Sequence, residues 1–266
     1  MDEYPNSIDD KFKKCHKQMY RKITDKNEQQ NLLEIELNGN DRFRQAWNYS
    51  KHELNLENKK NYELSNDQLR KIALRAYTRD EIYLELNRKM CTGKETYRTD
   101  FGLISLHFLI TDGIQTHRQI KCITTYRTVD DELSISSRFV RFGSFGSSSR
   151  KPSLQFGRKT CFIIKTCYGA NISKISKFQH EAEVLIPPYE RFKSERVLDI
   201  QKECKNNRIP PEFCQCEHVY KFHSASKKSN MKCELVGETE NKMFAFLKKI
   251  KTLFDKIKTK PNPLAA

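Results

Sequence analysis

Three short pieces of the chain carry residue types that could do chemistry together. Thr125-Tyr126-Arg127 ends an apparent strand with a guanidinium, a planar fork suited to phosphate oxygens. Phe145-Gly146-Ser147-Ser148-Ser149 places a hydroxyl, Ser147, twenty residues after Arg127. Glu181-Ala182-Glu183 leads into Val184-Leu185-Ile186 and is closed by Pro187 and Pro188, with Glu183 thirty-six residues after Ser147. In a strand, residues i and i+2 share a face, so Glu181 and Glu183 are expected to project side by side. Two like charges on one face cost energy unless a cation arrives or one group keeps its proton. Each piece alone has a plainer reading: a surface arginine, a serine loop, a solvated E-x-E strand. Their order and spacing carry the argument.

The elements that must position these groups fall into two halves. Up to about residue 118 the apolar spacing is helical. Ile8, Phe12, Cys15 and Met19 predict a helix behind a Ser7 cap, and Leu32, Leu33 and Leu37 a second. Phe43, Ala46 and Trp47 predict a third, and Leu69, Ile72, Ala73 and Ala76 a fourth, capped by Ser65 or Asn66. Phe101 to Gln115 reads as a largely buried helix in which His107 is a core residue. From about residue 119 short β-branched or aromatic runs alternate with Gly, Ser and Asn. Strands are expected over 122–127, 138–145, 160–167, 181–186, 196–200 and 218–222. This is an α+β chain without βαβ repeats, and with neither G-x-G-x-x-G nor a P-loop. Residues 237–266 stand apart. Met243, Phe246, Leu247, Ile250, Leu253, Phe254 and Ile257 form one stripe and lysines the other faces, a basic amphipathic helix that would dock on the domain or lie on an anionic membrane surface.

The net charge of +15 points to an anionic partner, and residues 221–266, with eleven lysines against four acids, hold about half of the excess. No nucleic acid is expected as a partner, since no binding signature interleaves aromatics with the basic residues. Nine cysteines favour disulfides and an oxidising compartment. A zinc site from Cys204, Cys214, Cys216 and His218 is disfavoured, because the tight Cys-x-Cys lacks the usual two-to-four-residue gap; no metal is expected. Met1-Asp2-Glu3-Tyr4-Pro5 shows neither a basic nor an apolar leader region, so an extracellular or secretory-lumen location implies a signal peptide already removed.

The chain resembles the arginine-specific mono-ADP-ribosyltransferases of the vertebrate cell-surface type, related to the cholera-toxin-like class with its R-S-E signature. The resemblance runs from Pro5-Asn6-Ser7-Ile8-Asp9-Asp10 to about Cys233. It includes Phe43-Arg44-Gln45-Ala46-Trp47, Ala76-Tyr77-Thr78, Ser105-Leu106-His107-Phe108 and Tyr126-Arg127, together with the serine run and Glu183-Val184-Leu185-Ile186-Pro187-Pro188. It implies a catalytic domain over 1–236, with a helical region (1–118) packed on a two-sheet β core (119–236) and an NAD cleft between the sheets. NAD would be the co-substrate and arginine-bearing proteins the acceptors. Arg127 would hold the NAD phosphates, Ser147 the nicotinamide-ribose pocket, Glu183 the ribose 2′-hydroxyl and Glu181 the acceptor guanidinium, with Phe156 stacking on nicotinamide. Where the family has glycine after the arginine, this chain has Thr128. The resemblance also implies disulfides Cys122–Cys167 and Cys15–Cys233, leaving Cys91, Cys161, Cys204, Cys214 and Cys216 unassigned. Two rivals remain: an NAD glycohydrolase of the same fold, which has no need of Glu181, and a catalytically degenerate basic protein that binds nucleic acid or membrane.

Overall fold

A computed structural model describes residues 1–236. The expected amphipathic helix after Lys242 lies outside the described residues. Six helices come first: α1 (His16–Ile23), α2 (Leu32–Gly39), α3 (Asp41–Glu53), α4 (Asn66–Tyr77), α5 (Asp80–Thr92) and α6 (Ile104–His117). Then follow β1 (Ile123–Val129), β2 (Phe139–Val140), β3 (Gly146–Ser149), β4 (Thr160–Thr166), β5 (Ala170–Asn171), β6 (Glu183–Ile186), β7 (Glu190–Arg196), α7 (Ile200–Lys205) and β8 (His218–Lys227). The α+β class is as expected.

Local chemistry explains most boundaries. Ser65 caps α4 by accepting the Gln68 N–H, and Gln68 returns the bond to the Ser65 N–H, a capping box. Helix α6 is buried along nearly its whole length. Glu36 meets its N-terminus, accepting the N–H groups of Ile104 (2.6 Å) and Ser105 (2.8 Å) that lack an intrahelical partner. His107 is the core residue expected. It is fully buried among Phe12, Tyr97, Phe101 and Phe145, and burial pushes its pKa down to about 3, so it is neutral.

Four expectations are corrected. The first helix begins only at His16, although Ile8, Phe12 and Cys15 are core residues as their spacing predicted. Asp10 takes the Phe12 N–H (2.8 Å) into a local turn and Phe12 sits at φ 52°, so side-chain bonding to backbone outcompetes helix there. The expected strand over 138–145 shrinks to Phe139–Val140, with Gly143 at φ 73° turning the chain. The run at 196–200 is not a strand, because Asp199 caps α7 by accepting the Lys202 N–H (2.9 Å). The strand lies just upstream as β7, hidden in the sequence by its charged residues. The segment 181–186 is extended only from Glu183 onward.

The eight strands run in one hydrogen-bonded order, β2-β7-β8-β4-β1-β3-β6-β5, with β4 and β8 parallel and the other pairs antiparallel. The two sheets implied by the resemblance are thus joined, and the join is thin. Strand β1 pairs with β4 along seven residues, but with β3 only at Tyr126 and Ser149. The helices and the β3–β6 side share one large core that includes Phe145, Ala170 and Leu185. Phe162, Ile164, Phe192 and Phe222 form a second core on the other half, and Cys161, Phe213 and Val219 a third. Disulfides join Cys15 to Cys233, Cys122 to Cys167, Cys161 to Cys216 and Cys204 to Cys214, and Cys91 is free. The last two bridges use three of the four ligands of the disfavoured zinc site. Among the described residues no group of His, Cys, Asp and Glu is arranged to hold a metal ion.

The ends of the described chain meet on a buried ion pair. Arg141 and Asp9 are both fully buried and 2.5 Å apart. Arg141 also donates to the carbonyls of Glu3, Tyr4 and Lys228, while Asp9 accepts the N–H groups of Asn230 and Met231. Breaking such a pair from one side leaves an uncompensated buried charge. Arg141→Met should therefore lower the unfolding free energy by about 3–5 kcal/mol in urea titrations with the disulfides intact. A loss under about 1 kcal/mol would show that the pair is not structural.

Candidate active site

The parting of β1 from β3 opens a cleft of about 600 Å³, within the range of sites that take nucleotide-sized ligands. Antiparallel register would next pair Thr128 with Ser147, two residues on from Tyr126 and Ser149. The strands diverge instead, and Arg127 Nη1 donates to the Ser147 carbonyl (2.6 Å). The guanidinium therefore stands in the fork itself. Arg127, Ser147, Glu181, Glu183 and Phe156 all line this one cleft, so all five residues named from the sequence meet there.

The serine run is strand β3 rather than a loop. Its register on β6 sets Ser147 opposite Leu185 and Ser149 opposite Glu183. Ser148, between them, is buried and donates to the Val184 carbonyl (3.0 Å). Ser149 donates to the Glu181 carbonyl (2.7 Å), which ties the acidic segment to the strand before it.

Glu183 begins β6 and is 6% exposed. The Ser176 hydroxyl donates to its Oε2 at 3.0 Å. Burial pushes the Glu183 carboxyl above its ordinary value. The hydroxyls of Ser147 and Ser176 and the charge of Arg127 oppose that rise, and Glu181 adds to it. Glu181 lies differently from the sequence expectation. It closes a short 3₁₀ turn (Gln179–Glu181), and Ala182 at φ 50°, ψ 44° breaks the strand before Glu183. Strand alternation is thus not what brings the two carboxylates together. A left-handed residue between them is, and it leaves Glu181 half-buried at the cleft wall while Glu183 goes inside.

Lys151, Pro152, Ser153, Gln155 and Phe156 complete part of the lining. Gly157 sits at φ 130°, where a Cβ would meet the Asp130 nitrogen at 2.3 Å, so only glycine lets this loop close on the end of β1. The preceding Phe156 is 58% exposed on the rim. Thr128 borders the cleft and is buried, and its hydroxyl finds no partner among the described residues. Alternation along β1 turns its side chain to the face opposite that of Arg127.

Two contributors escaped the sequence reading. Ser176, fully buried, holds Glu183 from a loop with no recognisable signal. Tyr77 donates to the Phe145 carbonyl (3.2 Å) and packs edge-on against Phe145 and Tyr83, fixing the start of β3. It lies within Ala76-Tyr77-Thr78, quoted above for the resemblance but given no role.

Comparison with known proteins bears on the family and the fold. A profile of the ART family, described as NAD:arginine ADP-ribosyltransferase, matches residues 1–209. The chain is 29% identical over 255 residues to T-cell ecto-ADP-ribosyltransferase 1 of Mus musculus, covering 90% of this chain and 79% of that one. It is 31% identical over 250 residues to NAD(P)(+)--arginine ADP-ribosyltransferase 2 of Gallus gallus, covering 89% and 73%. The crystal structure of the eucaryotic mono-ADP-ribosyltransferase ART2.2 superposes with a TM-score of 0.69 at 27% identity, covering 88% of this chain and 97% of that one. A mutant of that enzyme in complex with NAD gives the same TM-score of 0.69. With the profile spanning most of the chain and the fold shared almost end to end, this protein belongs to the NAD:arginine ADP-ribosyltransferase family.

Proposed function

We propose that Arg127, Ser147, Glu181 and Glu183 carry the family's reaction, transfer of ADP-ribose from NAD to arginine side chains of acceptor proteins with release of nicotinamide. The observation that carries this reading is the pair of carboxylates in one cleft with unlike surroundings, Glu183 inside and hydrogen-bonded, Glu181 on a turn at the wall. The Arg127 fork takes phosphate oxygens of the donor, and Phe156 covers the nicotinamide from the rim. Nicotinamide leaves with the electron pair of its bond to ribose, and the sugar becomes oxocarbenium-like. The Glu183 carboxylate faces that charge and binds the 2′-hydroxyl, with Ser147 helping to place it. An acceptor guanidinium stays protonated at ordinary pH and is a poor nucleophile. Glu181 orients it and takes its proton as the nitrogen attacks. A pure hydrolase needs no such second carboxylate, and its presence in the cleft favours transfer.

The catalytic unit in this reading is residues 1–236, with 237–266 a basic appendage. Four disulfides support an oxidising compartment, and we assign the chain to the extracellular face or the secretory lumen. The lysine-rich appendage is read as a contact for anionic lipid, each surface lysine adding on the order of 1 kcal/mol at low salt. Removing residues 242–266 should leave NAD turnover intact and abolish binding to anionic vesicles. Vesicle binding that survives the deletion rules out this anchor.

Glu183→Gln should lose both transfer and NAD hydrolysis by a hundredfold or more, roughly 3 kcal/mol in the barrier. Because the ionised carboxylate is the active form and burial raises its pKa, wild-type activity should fall as pH drops through a value above the ordinary glutamate range. The stability sign is opposite. A raised folded pKa means stability present at low pH and lost as pH rises through that pKa, so Glu183→Gln should leave Tm at pH 7 unchanged or higher. Near-normal turnover in this variant would sink the assignment.

Glu181→Gln should separate the two reactions, losing transfer to a small guanidino acceptor and sparing hydrolysis. Labelled NAD follows both in one tube. Equal loss of both would mean that Glu181 serves the donor rather than the acceptor.

A further inference from the structure

The loop that brings Glu181 to the cleft is held from outside by the end of helix α4. Arg75 Nη1 donates to the carbonyl of Ile175 (3.0 Å) and, more weakly, to that of Ser176 (3.4 Å). Its Nε donates to Glu53 Oε2 (2.5 Å) at the end of α3, and the other oxygen of Glu53 pairs with Arg79. Three residues past Arg75, the Thr78 hydroxyl accepts the Lys177 N–H (3.0 Å) and donates back to the Arg75 carbonyl (2.8 Å). The peptide groups of three consecutive loop residues are thus captured by one helix end. Lysine cannot do this. The guanidinium has donors fixed in a plane, enough for a carboxylate on one edge and two carbonyls on another.

What the clamp fixes differs for the two carboxylates. Glu183 has anchors beyond the clamp, since β6 pairs with β3 on one side and β5 on the other. Ser176, which holds its side chain, is itself in the clamped loop but keeps a turn bond from its N–H to the Ile172 carbonyl (2.8 Å), and the Ile172 N–H bonds back to the Glu183 carbonyl (3.0 Å). Glu181 has no strand. Its backbone is held by short local bonds: the Ser149 hydroxyl on its carbonyl, the turn bonds from its N–H to Phe178 and from the Ala182 N–H to Gln179, and the neighbouring bond from Arg150 N–H to the Ala182 carbonyl (3.1 Å). Its carboxylate has no hydrogen-bond or ion-pair partner among the described residues. The aim of Glu181 therefore depends on where residues 175–178 sit. Arg75 and Glu53 themselves do not line the cleft.

We propose that Arg75, braced by Glu53, is a positioning residue for the acceptor step: it fixes the loop that aims Glu181 at the incoming guanidinium and so sets the ratio of transfer to hydrolysis. The proposal rests on the roles given above to Glu181 and Glu183. Water needs no orientation by Glu181, whereas a displacement of about 1 Å at an orienting group can cost on the order of a hundredfold in rate. The side chains of Arg75 and Glu53 are 15% and 33% exposed, so their ion pair is partly screened and its loss need not unfold the domain.

The test uses the full chain with its disulfides intact, labelled NAD and a small guanidino acceptor. Arg75→Met should lower the transfer-to-hydrolysis ratio roughly tenfold or more through a raised KM for the acceptor, leaving hydrolysis and the KM for NAD within about twofold. Hydrogen exchange at the Lys177 and Phe178 amides should quicken about tenfold, with β1 and β4 unchanged. Arg75→Lys, which keeps charge but loses the fork, should fall between, and it carries the test if Arg75→Met does not fold. An unchanged ratio in the folded variant, or parallel loss of both reactions, overturns the proposal. Glu181→Gln run beside it tells the failures apart. If that variant lowers the ratio and Arg75→Met does not, the clamp is wrong and the site stands. If Glu181→Gln leaves the ratio untouched, the site reading falls and the clamp with it.

Discussion

The cleft depends on a sheet that stops pairing. Strands β1 and β3 share one residue pair and then diverge, and a fully zipped ladder would leave no room for a ligand. Divergence leaves backbone groups without their usual partners, and buried ones must be satisfied some other way. Here a side chain takes the place of the missing strand bond: the Arg127 guanidinium on the Ser147 carbonyl. One arginine thereby keeps the fork open, satisfies its edge and presents positive charge to the space created. The surrounding structure braces the fork. The Cys122–Cys167 bridge ties the far ends of β1 and β4, the helical layer packs behind β3 and β6, and Gly157 lets a loop close on the end of β1.

Within that space the protein gives two identical side chains different working conditions. Glu183 is inside, where charge is costly and hydroxyls from Ser147 and Ser176 offset part of the cost. A charge held in such a setting interacts strongly with a cation that develops beside it. Glu181 stays nearer the solvent, on a turn set off by a left-handed alanine. In the proposed reaction that suits a group meeting a large and variable acceptor. The difference in setting comes from a single backbone reversal between two residues that read as equivalent in the sequence.

Much of this was legible beforehand and some was not, for definable reasons. Helices with clear caps and one apolar face, such as α4 behind Ser65, follow from local rules. Arg127, Ser147, Phe156, Glu181 and Glu183 could be named together, and line one cleft, because their order along the chain matches a known pattern. The start of the chain was misread because Asp9 and Asp10 make bonds to residues more than two hundred positions away, which no local window contains. Strand β7 was missed because Arg191, Lys193, Glu195 and Arg196 mask its period. The geometry at Ala182 was invisible, since alanine rarely adopts that conformation and only the tertiary frame imposes it. Arg75 and Ser176 gave no signal at all, being ordinary residues whose importance is positional.

The closure of the chain around Asp9, Asp10 and Cys15 has a consequence for its synthesis. Their partners, Asn230, Met231 and Cys233, are among the last described residues to leave the ribosome, and the Cys15–Cys233 bridge spans 218 positions. At ordinary elongation rates that interval is roughly 10–45 s. Throughout it two carboxylates destined for burial stay hydrated, and the Cys15 thiol is open to capture by any cysteine translated earlier than its proper mate. The nascent chain therefore needs an oxidant slow enough, or an isomerase active enough, to hold Cys15 in reserve. Translation that terminates short of residue 230 leaves Asp9, Asp10 and Cys15 without the chain-end partners that bury them.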